Sequence, residues 1–458
     1  MGSRVCSKTF LYVLIIMCGS TGFGFIIAYP SASIQSIKDE YGPFTTFEIA
    51  SFQSIPAIVA VVAPFAFNFA LKKWNRKIVS CFIGYFGCVT WLLLLVMNKR
   101  LFWLGVFIRG LHGIILAGIA LCCPLYINII APDGTKGFYG PFHIMGITSG
   151  HVISNLLGTL HNWRYPIYAT SFLLFMHGSL IWLIPNFPHD TQASKGTAKK
   201  LENIDDDESN ADSNGEVKNI KPVDVTKNNS KHCAKSNIKP LIVGCVMMSM
   251  NQLSGIGGIN QNISPLMSEV GLSIDPGFQS AIAQSSQLFS CSIGSLMLDK
   301  FGPKLMWIIS STGNTLSLLI YALNVKFEWS PWIPMIMLFG YQTFFGFGLS
   351  PIPTTVVPSM LSPAIKSTGM TLGTVSNRLA GAIMLFLFPY LREWVGQFGL
   401  MLILAIINFL CLIFGIIFVP KRIEQAGVKP KEEHSAESLS SDNMRENLIK
   451  DGQEEGEI

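Results

Sequence analysis

The chain has 458 residues, of which 50% are hydrophobic and only 13% are charged, with a mean hydropathy of +0.43. Soluble proteins carry about 25% charged residues, so this composition argues against a soluble enzyme. The formal net charge is +5, and of the 28 acidic residues nine lie in 190–224 and ten in 424–457. The sequence is therefore an apolar body with two polar, acidic appendages, which is typical of a polytopic membrane protein.

Apolar segments long enough to cross a membrane follow one another along most of the chain. A helix needs about 20 mostly apolar residues to cross a hydrocarbon core of ~30 Å. Backbone groups in lipid must be satisfied within their own segment, and the alternation of a membrane barrel is absent, so we predict an all-α polytopic fold. The twelve predicted spans are 10–30, 47–71, 78–97, 101–130, 138–160, 163–185, 239–263, 277–298, 304–324, 332–360, 367–391 and 397–419.

The spans fall into two groups of six, in residues 1–185 and 239–420. We predict that the acidic linker 186–238 and the tail 421–458 are disordered and cytoplasmic, because they hold too few apolar residues to bury. Short loops on the side of the termini carry ten Lys and Arg residues against six on the other side, which predicts cytoplasmic termini. Two six-helix bundles joined by a linker are the arrangement of a carrier built from repeated halves.

Catalytic and metal-binding motifs are absent from the sequence. It contains no His-Glu-x-x-His, no Cys-x-x-Cys and no phosphate-binding loop, so we predict no enzyme, no metal and no cofactor. Glu48 and Asp299 lie at span ends and no Asp or Glu lies in a span core, whereas proton-coupled carriers usually place a carboxylate in the bundle. The sequence therefore favours facilitated diffusion of a solute, with His143 or His151 as the alternative proton carrier.

Small and amide residues form stripes in two predicted spans. The first stripe, in 239–263, consists of Asn251, Gly255, Gly258 and Asn262, with Gln252 beside it. The second, in 367–391, consists of Gly373, Asn377 and Gly381. The spacing predicts one helical face for each stripe. Such a face either packs closely against a neighbouring helix or forms a wall that binds an uncharged polyhydroxylated solute.

Two arginines, Arg109 and Arg378, lie inside predicted spans that contain no carboxylate. Each either bonds helix carbonyls or extends toward the end of its span. The more central Arg378, together with His151, alternatively indicates that the solute is a small organic anion, because the ligand then supplies the missing negative charge.

A series of short motifs runs through both halves. They are Arg109-Gly110, Pro124-x-Tyr126, Trp163-Arg164, Asn251-Gln252-Leu253-Ser254-Gly255-Ile256, Asp299-Lys300-Phe301-Gly302-Pro303-Lys304, Pro351-Ile352-Pro353 and Ser376-Asn377. In this order they resemble the motifs of the sugar porter family of the major facilitator superfamily, which includes the glucose facilitators. The resemblance implies the major facilitator fold, with twelve transmembrane helices in two six-helix bundles, and transport by alternating access.

Together with the polar stripes, the resemblance implies a substrate site made of Asn251, Gln252, Gln287, Asn377, Arg378 and His151. It implies gating roles for Arg109, Lys136, Asp299, Lys304, Gly348, Pro351 and Pro353. Three departures from the family are informative: Gly257 replaces a sugar-binding Asn, Arg378 replaces a Trp, and Ile26 stands where proton-coupled members carry an Asp. Sugar remains the predicted substrate class, and the missing Asp favours facilitated diffusion.

We therefore predict a multi-pass plasma-membrane protein that acts as a monomer in the lipid bilayer, binds no nucleic acid, and moves a hexose or related sugar. One alternative is a carrier of a small organic anion that uses Arg378. The other is a nutrient sensor that binds its solute without transporting it, which the altered gating residues and the long acidic tail suggest.

Overall fold

The computed structural model describes residues 2–132, 139–185, 230–361 and 365–421, and the regular elements in these ranges are all helical. The helices are α1 (Gly2–Tyr41), α2 (Thr46–Lys73), α3 (Arg76–Leu93), α4 (Phe102–Ile130), α5 (Phe142–Gly158), α6 (Arg164–Leu180), α7 (Ser230–Leu253), α8 (Ile256–Ser268), α9 (Pro276–Phe301), α10 (Pro303–Phe327), α11 (Trp332–Phe347), α12 (Ile352–Met360) and α13 (Lys366–Phe418). Short 3₁₀ turns, Leu94–Val96 and Ile181–Leu183, extend α3 and α6.

The helices follow the predicted spans in order. Within the described ranges, nine helical stretches are long and apolar enough to cross a membrane. The longest of these, Gly369–Phe418, has 50 residues, which is enough for two crossings, and its backbone turns at Gly396 (φ 66°). Helices α5 and α9 occupy the positions of two further predicted spans. Two helices therefore meet at this kink, between the last two predicted spans 367–391 and 397–419, as the sequence predicts.

The prediction of one continuous helix over 239–263 is wrong. Helix α7 ends at Leu253, and α8 begins at Ile256 after Gly255, whose φ of 98° lies in the left-handed region that favours glycine. The predicted single face is interrupted at this turn, because Asn251 precedes the break and Asn262 follows it. The break allows the two ends of the stripe to bond different partners.

A second break separates α11 from α12 where the sequence contains Gly348, Pro351 and Pro353. Proline supplies no backbone N–H and restricts the residue before it, so the helix ends there for a local reason.

Helix α7 begins at Ser230 and so extends into the predicted linker 186–238. Residues 186–229 and the tail from 422 onward lie outside the described residues.

Buried apolar side chains form two separate clusters. One draws its residues from 13–184 and the other from 243–419. Large apolar side chains such as Phe69, Phe107 and Phe172 are exposed, as a lipid-facing surface requires. Each group of spans thus packs around its own apolar interior.

Candidate functional site: a polar cavity between the two groups of spans

A small cavity, with about 60 Å³ of space for a water-sized sphere, lies between the two groups of spans. Helices α1, α2 and α4 supply apolar side chains, among them Ile26 and Leu116. The second group supplies Gln252, Gln261, Asn377 and Arg378 from α7, α8 and α13. Small-molecule sites are mostly apolar with a few placed polar groups, and the lining of this cavity has that character.

Three predicted site residues, Asn251, Gln252 and Asn377, form one hydrogen-bonded cluster. Gln252 Nε2 donates to Asn251 Oδ1 at 3.3 Å and to Asn377 Oδ1 at 3.4 Å. Asn377 Nδ2 donates to the Met248 carbonyl at 2.7 Å, and Asn251 Nδ2 donates to the Leu349 carbonyl at 2.6 Å. Gln252 and Asn377 line the cavity. Asn251 is not among the lining residues, and its Oδ1 accepts hydrogen bonds from both of them.

Two glycines keep the space beside Gln252 open. A Cβ added to Gly381 would lie 3.2 Å from Gln252 Oε1, and one added to Gly257 would lie 3.5 Å from the same atom. The first distance is tighter than most Cβ contacts, and the second is an ordinary contact. The Gln252 amide therefore stays accessible because both positions are glycine. One of them, Gly257, stands where the resembled family has a sugar-binding Asn.

Gln261 lines the cavity and was missed by the sequence-based site assignment. Its side chain is buried, and its Oε1 has no hydrogen-bond partner among the described residues. It lies one helical turn after Gly257 on α8, so its spacing from a cavity-lining glycine is the signal that could have identified it. A buried amide oxygen without a donor is a candidate acceptor for a substrate hydroxyl.

Arg378 brings a positive charge to the cavity. Its Cζ lies 5.7 Å from the centre of the Phe23 ring, and that ring meets His143 edge-on at 6.4 Å. Among the described side chains, ion pairs join His161 to Asp275, Arg164 to Glu40 and Arg392 to Glu269, and none of these involves Arg378. A charged residue at the centre of a membrane helix costs about 2.5–3.5 kcal/mol on insertion scales, so such residues usually have a function.

Arg109 is fully buried and does not line the cavity. Its Nη2 donates to the Ile26 carbonyl at 2.9 Å, and its Nε donates to the Phe52 carbonyl at 3.5 Å. Pro30 and Pro56 stand four residues after these two carbonyls, where a helix normally supplies an N–H. Arg109 therefore satisfies two carbonyls that prolines leave without their helical donor.

Aromatic faces complete the surroundings of Arg109. The rings of Tyr29 and Phe52 have their centres 5.6 and 5.3 Å from its Cζ, which are cation–π distances. Its Nη1 has no hydrogen-bond partner in the described part of the chain. The interpretation that this arginine bonds helix carbonyls thus agrees with its contacts.

His151 and Gln287 are not brought to this cavity. Both are buried, in α5 and α9 respectively. Neither ring nitrogen of His151, nor Oε1 of Gln287, has a hydrogen-bond partner within the described ranges. Helix α5 packs against α9, and the polar pair that bonds across this contact is Asn155 with Gln284.

The predicted gating residues are spread over several elements. Gly348, Pro351 and Pro353 lie at the break between α11 and α12, and Lys304 is half-buried at the start of α10. Lys136 lies outside the described residues, as does the side chain of Asp299.

Amide contacts join the two groups of spans on the side opposite the N-terminus, and we call these the far-side contacts. Gln53 Nε2 donates to Asn262 Oδ1 at 2.8 Å, and Asn155 Nδ2 donates to Gln284 Oε1 at 2.8 Å. Ser31 Oγ accepts from the Ser264 backbone N–H of the second group at 3.0 Å, and it donates to Asn155 Oδ1 within its own group at 2.8 Å. Local spacing could not reveal these pairs, because Gln53 and Asn262 are 209 residues apart.

A family model described as "Sugar (and other) transporter" matches residues 12–426. The chain belongs to this sugar transporter family. Sugar transporter ERD6-like 18 of Arabidopsis thaliana is 24% identical over 440 residues, which cover 91% of this chain and 89% of the relative. The bovine (Bos taurus) solute carrier family 2, facilitated glucose transporter member 2, is 22% identical over 318 residues, which cover 65% and 62% of the two chains.

A solved D-xylose–proton symporter shares the fold of this family member. The TM-score is 0.71 at 15% identity, over 89% of this chain and 97% of the symporter. The sugar transporter family member is therefore an all-α, multi-pass integral membrane protein with the twelve-helix major facilitator fold. The predictions of family and fold are confirmed, and the family is one of transporters rather than enzymes.

Proposed function

We propose that the chain carries a hexose or related sugar across the membrane by facilitated diffusion through alternating access. The observation that supports the substrate class is the wall formed by Gln252, Gln261 and Asn377. An amide both donates and accepts hydrogen bonds, as a sugar hydroxyl does, so a group of amides suits a polyhydroxylated ligand. The similar proteins, which are named as sugar and glucose transporters, support the same class.

The absence of proton coupling is the second part of the proposal. In the resemblance to proton-coupled sugar porters, Ile26 stands at the position of their Asp, and here it is the backbone carbonyl of Ile26 that accepts from Arg109. A carbonyl takes up no proton at physiological pH, whereas a carboxylate in this place could serve as a relay. The xylose carrier with the similar fold is by its name a proton symporter, so the two proteins would differ at this position.

Alternating access is the third part of the proposal. Two six-helix bundles, 1–185 and 239–420, would rock about the cavity so that it opens to one side at a time. The far-side contacts support a closed side opposite the N-terminus, and the breaks at Gly255 and Gly348 supply bends beside the site. We further propose a monomer in the plasma membrane, with both termini in the cytoplasm, as the loop charges predict.

Exchange measured with purified protein in liposomes tests the proposal. Wild-type protein should exchange at least one radiolabelled sugar from a panel of neutral and acidic hexoses faster than protein-free liposomes do. Gln252→Ala should slow this exchange about tenfold, since it removes an amide that faces the cavity and orders Asn377.

A matched control is Gln35→Ala, which removes an exposed amide that bonds Asp39 at the end of α1. It should leave exchange unchanged. Equal exchange in Gln252→Ala and wild-type protein would remove Gln252 from the site. If no sugar of the panel exchanges although one binds, the alternative of a non-transporting nutrient sensor replaces the carrier.

A further inference from the structure

The cavity holds a positive charge that no described side chain neutralises. Arg378 lines the cavity next to Asn377, and its guanidinium makes no hydrogen bond or ion pair with a described residue. It faces the ring of Phe23 at 5.7 Å, which offers a partial negative surface but no counter-charge. The five N–H donors of the guanidinium therefore need acceptors. Because Arg378 lines the cavity, a ligand in the cavity can supply them.

The elements packed around Arg378 supply no acidic partner. Glu48 is the one acidic residue within the predicted span bounds, and it lies at the end of 47–71, where it takes part in the cap of α2. On the opposite wall, Ile26, Ile27 and Leu116 are apolar. His143, behind the Phe23 ring, shares a 2.8 Å hydrogen bond with Ser20 Oγ and carries no negative charge in either protonation state. No described residue supplies a negative group to Arg378, so we assign that group to the ligand.

The cavity offers both a guanidinium and a group of amides, and a sugar that carries one carboxylate can bind both. We propose, building on the proposed sugar carrier, that its preferred substrate is a sugar acid with one carboxylate, such as a hexuronate. The carboxylate would bind the Arg378 guanidinium, whose planar fork suits two carboxylate oxygens. The hydroxyls would bind Gln252, Gln261 and Asn377, which line the same cavity.

A single carboxylate fits this wall better than a phosphate. A phosphate monoester carries a charge of about −1.5 to −2 at neutral pH and is usually met by more than one cation or by several backbone N–H groups. Within the described lining, Arg378 is the cationic residue. The charge of one guanidinium is balanced by one carboxylate, so sugar phosphates should bind less well than sugar acids.

Counterflow in liposomes that contain the purified full-length protein tests this inference, with radiolabelled glucuronate, glucose and glucose 6-phosphate as probes. Wild-type protein should exchange glucuronate at a half-saturating concentration about tenfold or more below that of glucose. Arg378→Gln should abolish this preference, with a loss of about 10- to 100-fold in apparent affinity for glucuronate. Arg378→Lys, which keeps the charge without the fork, should recover part of it.

The matched control is Arg392→Gln, because it removes an arginine from the same helix at a site where the partner is Glu269. It should retain the preference for glucuronate. Exchange of glucose with neither transport nor competition by glucuronate would overturn the inference and leave the sugar carrier intact. Unchanged glucuronate affinity in both Arg378 variants, or a preference for glucose 6-phosphate, would also overturn it. Failure of every sugar to exchange would instead overturn the proposed function.

Discussion

Arg109 and Arg378 are both arginines within membrane helices, yet their surroundings differ. Arg109 donates to two backbone carbonyls, lies against two aromatic rings and has no exposed surface. Arg378 contacts one ring and lines the cavity. Neither has a carboxylate in its own span. The same side chain therefore contributes to helix packing at one place and offers its charge to the cavity at the other.

The difference teaches that the partners of a membrane arginine, and not its charge, decide whether the side chain is used within the helix packing. Arg109 is opposite Pro30 and Pro56, each of which removes the helical N–H of a carbonyl that the arginine then satisfies. Around Arg378 no such pair of carbonyls is present among its described contacts. Three substitutions test this comparison.

The largest effect is expected from Arg109→Met. It leaves the Ile26 and Phe52 carbonyls without a donor in the protein interior, at a cost of about 1–3 kcal/mol each. The thermal midpoint of the purified protein, followed by tryptophan fluorescence, should fall clearly. Arg378→Met is the control, and its midpoint should match the wild-type value. Equal losses in the two variants would contradict the distinction between them.

Ile26→Asp should have an intermediate effect, since it places a carboxylate next to the carbonyl that now accepts from Arg109. Sugar uptake by this variant should become dependent on pH between 5.5 and 7.5, because the new group can exchange protons during transport. Wild-type protein and the uncharged variant Ile26→Asn should show flat profiles. A steep profile in the wild-type protein would argue for coupling through a histidine such as His143.

The smallest effect is expected from Phe23→Leu. A cation–π contact at a partly exposed site contributes about 0.5–1 kcal/mol, which corresponds to a change of about two- to fivefold in affinity. Competition of glucuronate against a labelled sugar should weaken by this factor, because the ring holds the Arg378 guanidinium. Phe172→Leu changes an exposed, lipid-facing ring and should leave competition unaltered. A full loss of competition would mean that Phe23 contacts the ligand itself.

Much of the fold could be predicted from the sequence because, in lipid, each segment must satisfy its backbone hydrogen bonds within itself and therefore forms a helix. Length and hydropathy predict the spans, and Pro351 with Pro353 marks the break after α11. The neighbourhood of Gln252 and Asn377 was also predictable, since the family motifs name both residues. What these signals share is that each is contained in a few consecutive residues.

The rest depends on contacts between distant parts of the chain. The break at Gly255 was missed because glycine is common in unbroken membrane helices. The far-side contacts pair residues more than one hundred positions apart, such as Asn155 with Gln284. His151 was placed on the cavity wall from the resemblance alone, whereas the packing of α5 against α9 keeps it elsewhere. Side-chain direction within a bundle is thus decided by which helix lies opposite.

The carbonyl partner of Arg109 has a consequence for energetics. A carrier whose internal charges stay fixed through the cycle cannot draw on a proton gradient, so it only equilibrates its cargo. For an anionic cargo, the electrical potential then sets the end point: 100 mV corresponds to about 2.3 kcal/mol per elementary charge, or a concentration ratio of about 50. With a negative cell interior, such a carrier would release sugar acids from the cell rather than collect them.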